Sequence, residues 1–411
     1  MWDPEQLLPA LAPATFGRRT HGERHSRTAT RGARQARELG APRVSSTARR
    51  LVSVVVPVRN EAPRVGACLE GLLAQDYGLA RMEIIVVDGM STDGTRDILQ
   101  TYAARYPNIR MLDNPGRIVP VGMNMGIRAA GGDYIIRVDG HTVLPPNYVS
   151  LCVRFLEQTG ADNVGGTMRA MGDGYLAKAI AIATSSPFGV GNSPFHYSDK
   201  AQWVDTVYLG AFRREALERV GLYDESLVRN QDYELNYRIR KAGGRIFYTP
   251  EIFAYYYGRD SLGALWRQYH QYGLWKVRVI ARHPGSAQVR HFAAPLFVAG
   301  LLSLGVLAPV LPFARWLLGL QLMLYALAGV TSSTREALRK GLKFLPVLPL
   351  VFLVLHLSWG LGFLRGGCGL AASAVVQRAR RALARSLAPA PNAATDAERC
   401  EGSHVSAQGG R

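Results

Sequence analysis

The chain has 411 residues, and its 49 lysine and arginine residues outnumber its 31 acidic residues, so the formal net charge is +18. This length exceeds what one ordinary hydrophobic core supports and predicts a folded domain joined to a second region. The four cysteines have neither CxxC nor metal-type spacing, which gives no basis for a disulfide framework or a zinc site. Long apolar stretches are concentrated in residues 291–364, and this asymmetry indicates a membrane region.

Residues 1–50 contain ten arginines and no lysine, among alanine, threonine, glycine and serine. Such a composition buries too little apolar surface to offset the entropy of ordering, so we expect this Arg-rich segment to be disordered. It has no continuous apolar run of a signal peptide, which places the following domain on the cytoplasmic side. The segment could bind nucleic acid, attract anionic lipid, or be a solvated tail without a dedicated partner.

From residue 51 onward, short β-branched runs alternate with helical patterns. VSVVVPVRNE reads as a buried strand that meets a polar loop, and MEIIVVDGMSTDGT as a second strand and loop. The first predicted strand starts after Leu51 and ends at Pro57, and the others are residues 84–87, 109–112 and 133–138. The predicted helices between them include 64–75 and 95–106. This alternation predicts an α/β fold with a largely parallel sheet and helices on both faces. Ligands in such sheets bind beyond the carboxyl ends of the strands.

After the fourth strand the alternation loosens, and glycine, serine and proline crowd residues 185–194, as expected of an acceptor-facing region. We predict helices over 211–220 and 231–242, a strand over 245–248 and an amphipathic helix over 262–282. The last of these carries four aromatic residues that suit a bilayer interface, Trp266, Tyr269, Tyr272 and Trp275.

The apolar segments 291–313 and 344–364 are each long enough to span a hydrocarbon core of about 30 Å. Segment 316–330 is marginal, either a short span or the second arm of a hairpin. We therefore predict a membrane region, residues 286–376, with two to four hydrophobic helices, and a disordered basic tail, residues 377–411. The basic stretches 331–343 and 377–385 both favour the cytoplasm. Three simple spans would separate them, so either one segment is re-entrant or the charge rule is broken once.

Four segments resemble, in order, the motifs of glycosyltransferase family 2: VSVVVPVRNE, VVDGMSTDGT, NPGRIVPVGMNMGIRAAGGDYIIRVDGH and RNQDYELNYRIRKAGG. The resemblance covers residues 51–255 and is greatest to the succinoglycan-type glucosyltransferases of bacterial exopolysaccharide synthesis. It implies a GT-A type nucleotide-diphospho-sugar transferase fold over residues 51–285. It also implies a hexosyltransferase that takes its sugar from a nucleotide sugar donor.

The resemblance assigns the ribose and base pocket of the donor to the first loop, Pro57, Arg59, Asn60 and Glu61. It assigns a hydrogen bond with the base to Asp88, where the family often has two acids and this chain has Asp88 followed by Gly89. From the residues alone, Asn60 and Asp93 could instead be turn residues that satisfy backbone amides.

The leaving nucleoside diphosphate needs charge stabilisation, which a divalent cation, Mn²⁺ or Mg²⁺, supplies in this family. The family has Asp-x-Asp after the fourth strand, and this chain has Asp139, Gly140 and His141. The resemblance makes Asp139 and His141 the metal ligands, with Asp139 also at the donor. An imidazole ligand favours Mn²⁺ over Mg²⁺. Taken alone, both residues would be loop-capping residues.

An acceptor hydroxyl that attacks opposite the leaving phosphate inverts the anomeric configuration and must lose its proton to a base. By resemblance this catalytic base is Asp232, preceded by Gln231 where the family has glutamate. We give Gln231 and Glu234 an acceptor or supporting role. Glu234 has an alternative as the i, i+4 partner of Arg238.

Processive polysaccharide synthases carry Gln-x-x-Arg-Trp, and the comparable text here runs from Gln268 to Tyr272 without the arginine and tryptophan. We therefore expect a non-processive enzyme. The hydrophobic region implies a lipid-linked saccharide acceptor and an inner (cytoplasmic) membrane location, with the catalytic domain in the cytoplasm.

Two alternatives remain. One is a nucleotidyltransferase that activates a sugar, although the VRNEAPR loop lacks the glycines of a phosphate loop. The other is a nucleic-acid-binding membrane protein, although the Arg-rich segment has no interleaved aromatic residues to stack on bases, so we expect no nucleic-acid partner. Deletion of residues 1–48 separates the second alternative from sugar transfer.

Overall fold

The computed structural model describes residues 50–386. The predicted disordered segment at the N-terminus, apart from its last residue, lies outside the described residues, as do residues 387–411 of the predicted basic tail. The described residues form one mixed nine-stranded sheet with helices on both faces, followed by four long helices.

The first four strands are parallel, as the alternating pattern predicts. They are β1 (Val52–Val58), β2 (Met82–Asp88), β3 (Ile109–Asp113) and β4 (Tyr134–Arg137), in the order β3-β2-β1-β4. The helices between them are α1 (Ala62–Leu73), α2 (Thr95–Arg105) and α3 (Val119–Ala129). All seven residues of β1 are buried, because helices cover both faces of the sheet.

The remaining strands add four antiparallel pairs and one parallel pair, β6 with β9. They are β5 (Thr142–Val143), β6 (Asn163–Met171), β7 (Gln202–Trp203), β8 (Tyr208–Arg213) and β9 (Ile246–Tyr257). The order continues from β4 as β8-β6-β9-β5, with β8 antiparallel to β4 and to β6. The helices of this half are α4 (Tyr148–Thr159), α5 (Tyr175–Thr184), α6 (Pro187–Val190), α7 (Arg214–Val220) and α8 (Gln231–Lys241).

The helix predicted over 211–220 is wrong at its start, because residues 211–213 belong to β8 and the helix begins at Arg214. The buried, β-type run of β8 pairs with two neighbouring strands, and this pairing overrides the helical pattern that follows it. Prediction also missed α4, β6 and α5, and the strand predicted over 245–248 extends to Tyr257.

Successive side chains of β1 point to opposite faces and build two separate cores. Val54 and Val56 pack in the core that contains Leu69 of α1. Val55 packs in the core that contains Met123 of α3 and the apolar face of α8. Both cores hold β1 in the middle of the parallel half, so the loop after β1 lies between those after β2 and β4.

The described residues end with four helices, which are α9 (Leu262–Arg282), α10 (Ala293–Leu307), α11 (Pro312–Lys340) and α12 (Leu348–Ser386). Three segments are long and apolar enough to cross a membrane, Val289–Leu307, Pro312–Lys340 and Leu348–Ser373. The segment predicted as marginal, 316–330, is the middle of the long helix α11. Helix α12 continues to Ser386, so residues 377–386 of the predicted disordered tail are helical.

The end of α11 lies beside the sheet. The hydroxyl of Tyr175 in α5 donates a hydrogen bond of 2.6 Å to the carbonyl oxygen of Lys343, and its ring stacks on Phe344. The basic stretch 331–343 therefore ends in contact with helix α5.

Helices α9 and α12 pack backbone against backbone through glycines. A methyl group on Gly273 of α9 would lie 2.2 Å from the carbonyl oxygen of Trp359, and one on Gly362 of α12 would lie 2.0 Å from that of His270. Such close helix packing requires small residues. These glycines therefore fix α12, a candidate membrane helix, to the amphipathic helix α9.

We expect Gly362→Ala to destabilise the protein, because its methyl group meets a backbone atom that cannot rotate away. Overpacking of this kind costs about 1–3 kcal/mol or more. The matched control is Gly367→Ala on the same helix, where a methyl group meets nothing within 4 Å. Thermal unfolding in detergent should show a lower midpoint for Gly362→Ala alone; equal midpoints would contradict the close α9–α12 contact.

Candidate active site

The loops that follow β1, β2 and β4 converge on one cavity of about 890 Å³, a volume typical of sites that hold a small-molecule ligand or cofactor. The structure brings together eight of the predicted site residues on its wall: Pro57, Arg59, Asn60, Glu61, Asp139, His141, Gln231 and Asp232. Two predicted residues, Asp88 and Glu234, do not line this cavity.

A buried arginine joins the two carboxylates on which the predicted chemistry depends. Arg137, the last residue of β4, donates from Nε to Asp139 Oδ1 over 2.8 Å. Its Nη1 forms an ion pair with Asp232 Oδ1 from the first turn of α8. The Arg137 side chain is only 8% exposed, so this guanidinium holds the end of β4 and the start of α8 together inside the protein.

The two acids differ in their electrostatic surroundings. Burial alone would raise the pKa of Asp139, but the charges of Arg137 and His141 outweigh it and hold that pKa below its ordinary value. Burial raises the pKa of Asp232, and Asp139 adds to the rise while Arg137 opposes it. Asp139 therefore remains ionised, as a cation ligand must. Asp232, with the higher pKa, is the stronger base of the two. Opposite pKa shifts in neighbouring carboxylates are typical of a pair with different chemical roles.

His141 is oriented by Glu61. Its Nδ1 lies 2.9 Å from Glu61 Oε1, and because an ionised carboxylate only accepts, Nδ1 carries the proton. Burial would lower the pKa of His141, but this hydrogen bond and the charges of Asp139 and Glu61 raise it above its ordinary value. Within the described residues Nε2 has no hydrogen-bond partner, so the neutral imidazole keeps a lone pair for a ligand.

The residues present fit a divalent cation that is shared with a substrate. Asp139 keeps one carboxylate oxygen that Arg137 does not occupy, and a carboxylate that orients a ligating histidine is a common arrangement around metals. No group of three or more His, Cys, Asp or Glu side chains is placed to hold a metal within residues 50–386. A cation held by Asp139 and His141 would have two protein ligands and would keep further coordination positions for diphosphate oxygens and water.

The first loop is held in shape by polar side chains. Asn60 has a left-handed backbone, φ 55°, and its Oδ1 accepts a hydrogen bond of 2.9 Å from the Thr92 amide. Asp93 accepts from the amides of Ala62 and Thr95, both at 3.1 Å. These contacts are those of turn residues, the alternative considered for Asn60 and Asp93. Asn60 nevertheless also lines the cavity.

Asp88 lies behind the cavity wall instead of on it. Its side chain is fully buried, and its carboxylate accepts from the Ser91 hydroxyl and amide and from Arg96 Nη1 at 2.6 Å. Arg96 also pairs with Asp113 at 2.9 Å. In this arrangement Asp88 fixes the loop after β2 and offers no exposed oxygen to a base.

Glu234 also points away from the cavity. Both of its oxygens accept from Arg238, at 2.8 and 2.9 Å, and His283 Nε2 lies 2.9 Å from Oε1. The structure therefore contains the i, i+4 ion pair between Glu234 and Arg238 that is the alternative to a supporting role for Glu234. Gln231 lines the cavity beside Asp232.

The aromatic residues of α9 do not all face outward. Tyr269 and Tyr272 line the cavity together with Gln268, whose Nε2 donates to the Tyr272 hydroxyl over 3.0 Å. The segment that stands where processive enzymes carry their arginine and tryptophan thus forms part of the cavity wall.

Sequence reasoning missed Arg137 and Lys276, both buried residues that line the cavity. Arg137 had a readable signal, because a charged residue in the last position of a buried strand needs a partner nearby. Lys276 had no such signal in the sequence, because it lies in an amphipathic helix among other basic and aromatic residues.

We expect Arg137→Met to destabilise the protein, because it leaves Asp139 and Asp232 without their shared counter-ion. Adding Asp232→Asn should restore part of the stability by removing one of the two negative charges. A double-mutant cycle of thermal unfolding should give a coupling of about 0.5–3 kcal/mol. Strict additivity of the two changes would mean that Arg137 does not link the acids.

Comparison with known proteins identifies the same family that the sequence motifs resemble. The family model described as Glycosyl transferase family 2 matches residues 53–221. The chain is 34% identical to the succinoglycan biosynthesis protein ExoA of Rhizobium meliloti over 318 residues, which cover 76% of this chain and 93% of that protein. It is 25% identical to a dolichyl N-acetyl-alpha-D-glucosaminyl phosphate 3-beta-D-2,3-diacetamido-2,3-dideoxy-beta-D-glucuronosyltransferase of Methanococcus voltae, over 77% of this chain and 96% of that one.

Among solved structures, the mannosyltransferase PcManGT of Pyrobaculum calidifontis, in complex with GDP-Man and Mn²⁺, superposes with a TM-score of 0.53. The superposition covers 81% of this chain and 96% of that one at 21% identity, which establishes a shared GT-A fold. These matches exclude the nucleotidyltransferase and nucleic-acid-binding alternatives as the main activity. The chain belongs to glycosyltransferase family 2 and is a glycosyltransferase.

Proposed function

We propose that the protein is a membrane-attached, inverting and non-processive glycosyltransferase. It moves a sugar from a nucleotide-diphosphate donor to a lipid-linked saccharide acceptor in the synthesis of exopolysaccharide or another cell-surface glycan. The observation that carries this proposal is the single cavity in which Arg137 holds Asp139, from the end of β4, against Asp232, from the start of α8. In this proposal Asp139 serves the donor and Asp232 serves the acceptor.

In this proposal the donor lies over the carboxyl ends of the parallel strands. Pro57, Arg59, Asn60 and Glu61 form the wall for its nucleoside. Asp88 acts from behind the wall, because its contacts with Ser91 and Arg96 fix the loop after β2. Asp139 and His141 would hold the divalent cation, which neutralises charge on the departing nucleoside diphosphate.

Asp232 takes the proton of the acceptor hydroxyl as that oxygen attacks the anomeric carbon. Its Oδ1 is held by Arg137, so Oδ2 is the oxygen that receives the proton. Its raised pKa brings it closer to the working pH, which increases its strength as a base. The bond to the new oxygen forms as the bond to the phosphate oxygen breaks, and a single displacement of this kind inverts the anomeric centre.

The lipid-linked acceptor and the membrane location rest on the C-terminal helices. Helices α10 and α11 form an antiparallel pair in which Gln321 donates to the Phe297 carbonyl oxygen over 2.7 Å. We propose that this pair enters the bilayer and returns, which keeps the basic stretch 331–343 beside the catalytic region. Helix α12, which packs along α9, would then be the re-entrant segment, which does not traverse the bilayer. Both basic stretches remain on the cytoplasmic face of the inner membrane.

The division of the chain follows the same proposal. Residues 51–285 form the catalytic region and 286–376 the membrane region, with the Arg-rich segment and the basic tail outside them. Non-processive transfer is favoured because the wall formed by Gln268, Tyr269 and Tyr272 has neither the arginine nor the tryptophan of a chain clamp.

We expect Asp232→Asn to abolish sugar transfer while donor affinity changes less than about twofold, because the amide keeps the shape but cannot accept the proton. Radiolabel from candidate nucleotide sugars, counted in the lipid fraction of membranes that contain the protein, measures transfer. The matched control is Asp97→Asn, an exposed aspartate of α2 outside the cavity. Comparable turnover in Asp232→Asn would place the base elsewhere.

We expect His141→Ala to weaken Mn²⁺-dependent binding of a nucleoside diphosphate about tenfold or more, because one of two protein ligands is lost. Glu61→Gln should weaken it less, since glutamine keeps the shape of the cavity wall and loosens the orientation of His141 without removing a metal ligand. Titration calorimetry with and without Mn²⁺ measures both effects. Unchanged affinity in His141→Ala would remove His141 from the metal site.

A further inference from the structure

The cavity continues beyond the predicted donor and acceptor residues to the start of the membrane helices. Its far part is lined by Lys276 of α9, by Arg290 and His291 just before α10, and by Trp359 of α12. None of these residues takes part in the chemistry described above. Tyr233, the neighbour of Asp232 in α8, lines the boundary between the two parts. We refer to this far part, defined by Lys276, Arg290, His291 and Trp359, as the basic arm.

Lys276 is a buried cation without a carboxylate in contact. Its side chain is 4% exposed, and its Nζ lies 3.4 Å from the centre of the Tyr233 ring. Within the described residues it forms no hydrogen bond and no salt bridge. Burial and the neighbouring Arg290 lower the pKa of Lys276 to about 7, while Asp205 opposes this shift. A cation held in this way gains more from an anionic ligand than an exposed one does.

The other donors of the basic arm are also fixed in place. Arg290 Nη2 forms an ion pair with Asp205, and its Nη1 donates a hydrogen bond of 2.7 Å to the Asn192 carbonyl oxygen. Asp205 also accepts a hydrogen bond of 2.9 Å from Gln288 Nε2. His291 Nδ1 accepts from the Gln288 amide at 3.1 Å, so its proton is on Nε2, which is a donor. Asp205 offsets the charge of Arg290, so the protonated form of Lys276 is the positive charge of the basic arm that no carboxylate offsets.

Apolar residues of the membrane helices continue the same wall. Ala293 and Ala294 of α10 and Leu355 of α12 line the cavity directly beside the basic arm. A ligand suited to this place is therefore anionic where it meets Lys276 and apolar where it meets the helices. A lipid phosphate has both properties, and a free nucleotide or a free sugar has only one.

We propose that the basic arm binds the phosphate group of the lipid carrier that bears the acceptor, with Lys276 as the main counter-charge and His291 Nε2 as a hydrogen-bond donor. This inference rests on the proposed function, because it concerns the acceptor of that same reaction. The carrier phosphate would sit beyond Tyr233, with the acceptor saccharide extending past it toward Asp232. Lys276 and His291 are then positioning residues for the acceptor and do not touch the donor.

Binding of farnesyl phosphate to the full chain in detergent, measured by titration calorimetry, tests the proposal without requiring turnover. Farnesol serves as the phosphate-free comparator. Lys276→Met should weaken farnesyl phosphate binding at least tenfold and leave the weak binding of farnesol and the affinity for nucleoside diphosphate unchanged. The matched control is Lys340→Met, which removes the same charge from an exposed position at the end of α11, and it should behave as the wild type.

Equal affinities in wild type and Lys276→Met, or equal losses in Lys276→Met and Lys340→Met, would overturn the proposal. Dihexanoyl phosphatidylglycerol that binds as tightly as farnesyl phosphate and depends equally on Lys276 would also overturn it, in favour of a bilayer headgroup. If Lys276→Met lowers the thermal midpoint, His291→Asn replaces it, because the asparagine keeps an acceptor for the Gln288 amide but removes the Nε2 donor, and it should also weaken farnesyl phosphate binding. Asp232→Asn should retain full farnesyl phosphate binding, so loss of transfer and loss of carrier binding are separable.

Discussion

The structure of the active site depends on one guanidinium. Arg137 is almost fully buried at the end of β4 and contacts Asp139 two residues later and Asp232 from a helix nearly a hundred residues further along the chain. A buried arginine without partners would destabilise the folded protein, because an unpaired charge loses its hydration. Two neighbouring carboxylates repel each other unless a cation lies between them. Each of the three residues therefore requires the others. The fold brings the donor side and the acceptor side of the cavity together by satisfying that requirement.

The order of the strands makes this contact possible. Because β1 lies between β2 and β4, the loops that carry Glu61, Ser91 and Asp139 emerge side by side at one edge of the sheet. Helix α8 then closes the cavity with its first turn, where the positive end of the helix favours the carboxylate of Asp232. The same cavity extends between α9 and the candidate membrane helices, where its wall includes Lys276 and Ala294.

The sequence predicted the parallel half of the sheet closely, because buried β-branched runs and the polar loops after them are local signals. It predicted eight residues of the cavity wall, six of them in the motifs that follow β1 and β4 and two at the start of α8. The antiparallel half was less readable: β8 and β6 owe their strand form to pairing across the sheet, which a local pattern does not reveal. The same reason explains Asp88 and Glu234. Their acidic character is visible in the sequence, but Arg96 and Arg238, which turn them away from the cavity, are identified as partners only in the folded chain.

The glycine contacts between α9 and α12 have a geometric consequence for the acceptor. Two helices whose backbones touch cannot slide or tilt separately, so the cavity wall formed by α9 stays at a constant height relative to the apolar helices. With those helices in a bilayer, Asp232 would act at a set distance above the lipid surface.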